Sequence, residues 1–302
     1  MPIVIPKKIP AYDIMEKENI FVMTQSRAES QDIRPIEIAI LNLMPTKIET
    51  ETQFIRLLSN SPLQVNLTLL TTKSYVGKNT AIAHLDNFYQ HFYQVKDRKF
   101  DGMIITGAPV EQMDFEEVLY FEELREIFEF TQNNVTSTMY ICWGAQAALY
   151  HYYKIGKVKF AEKLFGVFEY ERNDDYEQLL KGVDDIFYMP QSRHTGIIEK
   201  QLEYHDDLVV LAQSKETGPA IIKTKDNSKI FITGHLEYDK YVLETEYKRD
   251  LNKGFNIKLP SNYYKNGKIV MKWRATANVI FTNWLNYYVY QVTPYLISEV
   301  KK

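Results

Sequence analysis

The 302-residue chain contains one cysteine, Cys142. It can form no internal disulfide, so a reducing, cytoplasmic setting is expected. No apolar run approaches the roughly 18 residues of a membrane span, and no association with a membrane is expected. No block of lysine and arginine stands out and the formal net charge is -3, which argues against a nucleic-acid partner. The first residues, Met1-Pro2-Ile3-Val4-Ile5-Pro6, lack a signal-peptide pattern. Internal repeats and low-complexity linkers are also missing. What remains is an ordinary globular composition, 45% hydrophobic and 25% charged, in a chain long enough to bury a large core without crosslinks. The 22 tyrosines suit either a well-packed core or a broad subunit interface.

Apolar periodicity predicts alternating strands and helices. Residues 1–34 are mixed and proline-containing and read as an extended arm. Strands are expected at 36–43 (IEIAILNL), 63–70, 100–106 and 138–141, and helices at 46–58, 82–92 and 115–131. This alternation predicts an α/β fold in three layers, with a mostly parallel central sheet covered by helices on both faces. The second half predicts short strands at 185–189, 208–213, 219–223 and 229–233, added antiparallel to the same sheet. A helix at 238–253 and an aromatic-rich closing helix at 275–290 follow. All 302 residues are taken as one domain. A ligand crevice is expected outside the carboxyl ends of the parallel strands.

The lone cysteine sits in Met139-Tyr140-Ile141-Cys142-Trp143-Gly144-Ala145-Gln146. The sequence around it reads as strand, tight turn and helix. A thiol at the turn faces a helix N-terminus, which favours a reactive thiolate. Free cysteines are also among the most buried residues, so the segment alone leaves a packed core cysteine open. Of the six histidines, 84, 91 and 205 lie in polar, surface-like stretches, and His151 lies on the far part of the helix after Cys142. His194 follows Ser192-Arg193 in an expected loop. His235 is the strongest partner for Cys142. It follows the strand at 229–233 and Gly234, with Glu237 two positions on. In an extended turn i and i+2 share a side, so Glu237 can orient His235 towards Cys142. The bland alternative is a structural histidine at a strand end.

Strand-Cys142-Trp143-Gly144-Ala145-Gln146 with the late Gly234-His235-Leu236-Glu237 resembles the class I glutamine-amidotransferase-like (flavodoxin-like) fold. More narrowly, the chain resembles the homoserine O-acyltransferases of methionine biosynthesis that use this fold. The resemblance rests on Gln31-Asp32-Ile33-Arg34-Pro35, Leu41-Asn42-Leu43-Met44-Pro45, Thr52-Gln53, residues 60–65, 100–113 (FDGMIITGAPVEQM) and 134–146. It extends through Pro190-Gln191-Ser192-Arg193-His194-Thr195 and 283–290 (NWLNYYVY). These stretches span almost the whole chain.

The resemblance implies a two-step transfer. Cys142 takes the acyl group from an acyl-coenzyme A, and homoserine, deprotonated by His235, then takes it from Cys142. Glu237 orients His235. Backbone N–H groups at Trp143, Gly107 and Ala108 are candidates for an oxyanion hole. Coenzyme A is substrate rather than retained cofactor, and no metal is required. Lys163, Ser192 and Arg249 match the family's homoserine-contacting positions, and Arg249 suits an α-carboxylate. Glu246, three residues before Arg249, is read either as a partner for the homoserine ammonium or as half of an intrahelical ion pair. Glutamate at 111, where the family has glycine for succinyl transfer, implies acetyl-CoA as donor. A homodimer is also implied.

Three departures stand out: Leu236 replaces a common proline, Tyr140 replaces the first glycine of a Gly-x-Cys-x-Gly elbow, and Trp273-Arg274-Ala275-Thr276 lacks a Ser-His pair. The competing expectations are a homoserine O-succinyltransferase, a glutamine amidotransferase or cysteine hydrolase on the same fold, and a non-enzymatic binding protein with Cys142 in its core.

Overall fold

A computed structural model describes residues 3–18, 22–29, 34–74 and 80–301. The motif residues Gln31, Asp32 and Ile33 lie outside them. The first half contains β1 (Ile3–Val4), α1 (Pro10–Lys17), α2 (Gln25–Ala28), β2 (Ile36–Leu41), α3 (Lys47–Leu58), β3 (Val65–Thr71), α4 (Ile82–Phe88), β4 (Tyr89–His91), β5 (Phe100–Ile105), α5 (Phe121–Asn134), β6 (Val135–Ile141) and α6 (Trp143–Tyr153). The second half contains β7 (Lys157–Arg172), β8 (Ile186–Ile197), β9 (Leu208–Ser214), β10 (Gly218–Thr224), β11 (Lys229–Ile232), α7 (Val242–Asn252), β12 (Tyr264–Lys265), β13 (Lys268–Ile269) and α8 (Arg274–Asn283).

Among the described residues, β1 to β11 form one 11-stranded sheet in the order β1-β3-β2-β5-β6-β11-β10-β9-β7-β8, with β4 on β3. Pairing is parallel from β1 across to β11 and antiparallel from β11 to β8. The parallel strands are near-continuous apolar runs because both of their faces are buried. Alternate side chains go to opposite sides. Ile38, Ile40, Ile104, Met139, Ile141, Ile230 and Ile232 pack with Met15 of α1, Phe54 of α3 and Phe281 of α8. Ala39, Leu41, Met103, Ile105, Tyr140 and Phe231 pack with Leu124 and Ile127 of α5 and Ala145 and Ala148 of α6. These are the three expected layers.

Several expectations need correction. Residues 3–18 are not an extended arm: β1 pairs with β3, and α1 buries Ala11 and Met15. The helix expected from 115 starts as a short 3-10 turn, Phe115–Glu117, closed by a capping box, and becomes α-helical only at Phe121. The helix expected from 238 starts at Val242. Before it, Tyr238 stacks on His235 and Asp239 pairs with Arg56 at 2.6 Å, which holds this turn out of the helix. The closing helix changes to a π-helix over Trp284–Tyr290, whose wider turn accompanies burial of Trp284, Leu285, Tyr288 and Val289 on the sheet.

The largest omission is β7, a strand of 16 residues paired with β8, of which only the start at 185–189 is expected. The polar first half of β7 lacks the alternation that would mark a strand. Ser192, Arg193 and His194 lie in β8 and not in a loop. Finally, His84 is not solvated. It is buried, with Nε2 3.1 Å from Glu51 Oε2.

Candidate active site

The chemistry-bearing residues collect at the carboxyl ends of three adjacent parallel strands. Gly107 lies just beyond β5, Cys142 ends β6, and His235 lies just beyond β11. Cys142 N–H ties the ends of β6 and β11 by donating to Ile232 O at 2.7 Å, and Thr106 N–H ties the end of β5 to β2 by donating to Leu41 O at 3.1 Å.

Cys142 is the N-cap of α6 and adopts φ 51°, ψ -114°. A residue other than glycine in this region is strained, and such strain collects at functional sites. The strand enters and the helix leaves so sharply that the thiol stands at the turn, above the first unpaired N–H groups of α6. Tyr140, two positions earlier, is a core residue stacked on Phe231 with ring centres 5.2 Å apart, so the missing glycine is not needed there.

His235 donates its backbone N–H to Pro190 O at 2.9 Å, and its Nδ1 lies 2.6 Å from Glu237 Oε1. Cys142 lies close enough to act on its charge. Tyr238 stacks on the imidazole with centres 4.1 Å apart. Burial alone would push His235 down, but the negative charges of Cys142 and Glu237, with the hydrogen bond to Glu237, outweigh it and hold the imidazole well above its usual range. The other Glu237 oxygen, Oε2, is buried without a hydrogen-bond partner among the described residues. Its charge is therefore answered mainly by His235. Leu236 is buried at 1% exposure, and its packing holds the turn between His235 and Glu237. Trp273 adds an anchor by donating Nε1–H to Tyr238 O at 2.8 Å. We expect Glu237→Gln, which keeps the shape and removes the charge, to lower acyl transfer by about 10³-fold in single-turnover kinetics.

Gly107 faces both partners. A Cβ there would stand 3.3 Å from Cys142 Cβ and 3.5 Å from His235 Cε1. Gly107→Val should crowd the thiol and the imidazole and lower transfer about 100-fold, measured as kcat with folding checked by thermal melt.

Cys142 and His235 open into a cavity of about 2290 Å³, larger than a site for one drug-sized ligand. Ala108, Glu111, Lys163, Ser192, Glu246 and Arg249 also line it. On one side is a charged cluster. β7 bulges between Lys159, opposite Thr195, and Leu164, opposite Arg193, and bulges re-aim side chains. Lys163 lies in this bulge, with Nζ 3.1 Å from Asp250 Oδ2 and 3.4 Å from Glu246 Oε2. Glu246 also accepts from Ser192 Oγ–H and from Tyr238 O–H, the latter at 2.9 Å. The intrahelical pair between Glu246 and Arg249 is not formed. Arg249 pairs with Asp250 at 2.8 Å, and its side chain is half exposed.

Glu111 lines the same cavity. Lys157 Nζ pins its loop by donating to the carbonyls of Glu111, at 2.8 Å, and Met113. Burial raises the Glu111 carboxyl above its usual range, against the backbone N–H of His194 and the charge of Lys163, which stabilise its ionised form. Gly107 and Trp143 lie behind the cavity wall, and Glu237 lies behind His235. Asp250, Tyr238 and Lys157 were not singled out from the sequence. Asp250 had a signal, its position four residues after Glu246 on one helix. Lys157 had none. Among the described residues no three His, Cys, Asp or Glu side chains gather as a metal site, and no helix is long and apolar enough to cross a membrane.

A family model described as homoserine O-succinyltransferase matches residues 2–295. The chain belongs to this homoserine O-acyltransferase family. A Lachnoclostridium phytofermentans protein named homoserine O-acetyltransferase is 54% identical, over 98% of this chain and 99% of its own length. A Bacteroides thetaiotaomicron protein of the same name is 50% identical over the full length of both. Among solved structures, a glutamine amidotransferase from Thermotoga maritima matches 85% of this chain and 100% of its own, with TM-score 0.58 at 10% identity. That likeness establishes the fold, class I glutamine-amidotransferase-like, and the activity of this homoserine O-acyltransferase family member must be argued from its site.

Proposed function

We propose that the protein transfers an acetyl group from acetyl-CoA to the hydroxyl of L-homoserine, the first committed step of methionine biosynthesis, acting in the cytoplasm as a single-domain enzyme and a homodimer. One observation carries this reading: Cys142 and His235, with Glu237 hydrogen-bonded to the imidazole, open into a cavity that Glu111, Lys163, Ser192, Glu246 and Arg249 also line. The names of the relatives support it.

In the first step the Cys142 sulfur adds to the thioester carbonyl, and backbone N–H groups of Trp143, Gly107 and Ala108 receive the developing oxyanion. The bond to the coenzyme A sulfur breaks, and that sulfur leaves with a proton from His235. The acetyl group stays on Cys142 Sγ. Acylation removes the negative charge that held His235 up, and burial then favours the neutral imidazole. When homoserine arrives the base is ready. His235 takes its hydroxyl proton as the oxygen attacks the acetyl carbonyl, the bond to Sγ breaks, and the thiolate returns beside a protonated His235. Arg249 takes the homoserine carboxylate, and Glu246, held by Ser192 and Tyr238, takes the ammonium. Lys163 keeps the two acidic residues in register.

The description of the family model favours one second reading, succinyl transfer. Glu111 argues against it. Supplying homoserine with acetyl-CoA or succinyl-CoA and resolving the products separates the readings. O-acetylhomoserine is expected. O-succinylhomoserine as the main product would replace acetyl by succinyl. Free acetate formed without homoserine, or glutamate formed from glutamine, would point to a hydrolase or an amidotransferase.

A further inference from the structure

Tyr238 stands between the base and the acceptor cluster and touches both. It is 4% exposed and lines the cavity together with Cys142, His235 and Glu246. Its ring lies against the imidazole of His235, with centres 4.1 Å apart and planes 16° apart. The hydroxyl at the far end of the ring donates to Glu246 Oε1 of α7 at 2.9 Å. Glu246 Oε2 accepts from Ser192 Oγ–H, and Lys163 Nζ lies 3.4 Å from it. Burial, and then the charges of Glu246, Glu237 and Cys142, hold the phenol well above its ordinary range. The hydroxyl therefore keeps its proton and remains a donor.

The turn that carries Tyr238 is anchored on both sides. Trp273, itself fully buried, donates Nε1–H to Tyr238 O at 2.8 Å. Asp239 pairs with Arg56 at 2.6 Å, and Arg56 also pairs with Glu18, just beyond α1, at 2.6 Å. The imidazole cannot turn freely, because Nδ1 is held 2.6 Å from Glu237 Oε1 and one face is covered by the phenol. A phenol ring has no internal rotation. One rigid ring therefore runs from the imidazole to the Glu246 carboxyl, and its length fixes their separation.

We propose that Tyr238 is a positioning residue that sets the spacing between His235 and Glu246 and so selects the acceptor by the length of its chain. The proposal rests on the reading above, in which His235 takes the acceptor's hydroxyl proton and Glu246 takes its ammonium. Three carbon atoms separate these two groups in L-homoserine. L-Serine has two, too few to reach both ends at once. Hydroxynorvaline has four and must fold its chain to fit. The acceptor class is therefore an α-amino acid with its hydroxyl on the γ carbon. A hydroxyl misplaced by about 1 Å lowers the rate by up to about 10²-fold.

The acetyl-enzyme, formed with acetyl-CoA alone and followed by intact mass, separates the two half-reactions. Discharge of the wild-type adduct should be fastest with L-homoserine, and roughly 10- to 100-fold slower with L-serine or hydroxynorvaline. Tyr238→Phe keeps the stack and loses the hydroxyl. It should slow discharge by homoserine about tenfold, the loss of one hydrogen bond to a charged group. The loss should appear mainly as a higher homoserine concentration for half-maximal rate. Acetylation should fall far less, and the preference for homoserine over its two homologues should shrink. Equal slowing of both half-reactions, or slower discharge with the preference unchanged, would overturn the proposal and leave Tyr238 a structural residue. The wild-type series carries the test if the variant does not fold, since equal discharge by all three acceptors would also overturn it. A wild-type protein that takes up no acetyl group would instead overturn the acyl-enzyme reading beneath the proposal.

Discussion

Glu111→Gly should open the enzyme to succinyl-CoA. The distal carboxylate of a bound succinyl group would face the Glu111 carboxylate in the same cavity as Cys142. Two like charges about 4 Å apart at an effective dielectric near 20 repel by about 4 kcal/mol, close to a thousandfold in relative kcat/KM. Glycine removes both the charge and the volume. The expected result is a gain in succinyl-CoA use of roughly 10² to 10³, with acetyl-CoA use changed far less, read from kcat/KM for each donor. The wild-type enzyme should show a related pH effect. Burial raises the Glu111 carboxyl above its usual range, so it takes up its proton at a higher pH than an exposed glutamate. Once neutral it no longer repels succinate, and discrimination against succinyl-CoA should weaken as pH falls. If Glu111→Gly leaves donor preference unchanged, selection lies elsewhere in the cavity.

Cys142→Ser should lower transfer by about 10⁴-fold or more. Serine is nearly isosteric and enters the same strained turn at φ 51°, so the fold should survive. Its hydroxyl, however, ionises far less readily than a thiol. Because acylation and deacylation both pass through this atom, the loss should appear in kcat with either donor, and homoserine binding, followed by calorimetry, should remain. Retained turnover in the serine variant with no acetyl group on the protein by intact mass would mean that homoserine attacks acetyl-CoA directly, with His235 as base and no covalent intermediate.

The sequence made the parallel half of the fold legible because both faces of those strands are buried. Runs such as 36–41 and 100–105 are apolar apart from Glu37 and Asp101 near their starts, and the turns after 100–105 and 135–141 carry Gly107 and Cys142. Cys142, His235 and Glu237 could be found because each stands at the end of such a run. The β7–β8 hairpin could not be read in this way. Its first half has little apolar periodicity, since the consecutive residues Phe160 to Leu164 all line the cavity. Lys163 and Ser192 were therefore reached by resemblance to a family, and their neighbours Asp250 and Tyr238 were not reached at all. The ion pairs that organise that cluster depend on the bulge between Lys159 and Leu164, a register shift with no local sequence mark.

The central claim is that Cys142 carries the acyl group between donor and acceptor. Intact mass of the protein after incubation with acetyl-CoA alone tests this most directly. The account predicts a gain of one acetyl group, located on Cys142, that stays until homoserine is added and is then lost as O-acetylhomoserine forms. Transfer of acetyl to homoserine with no adduct on the protein, under conditions that quench within a single turnover, would contradict it.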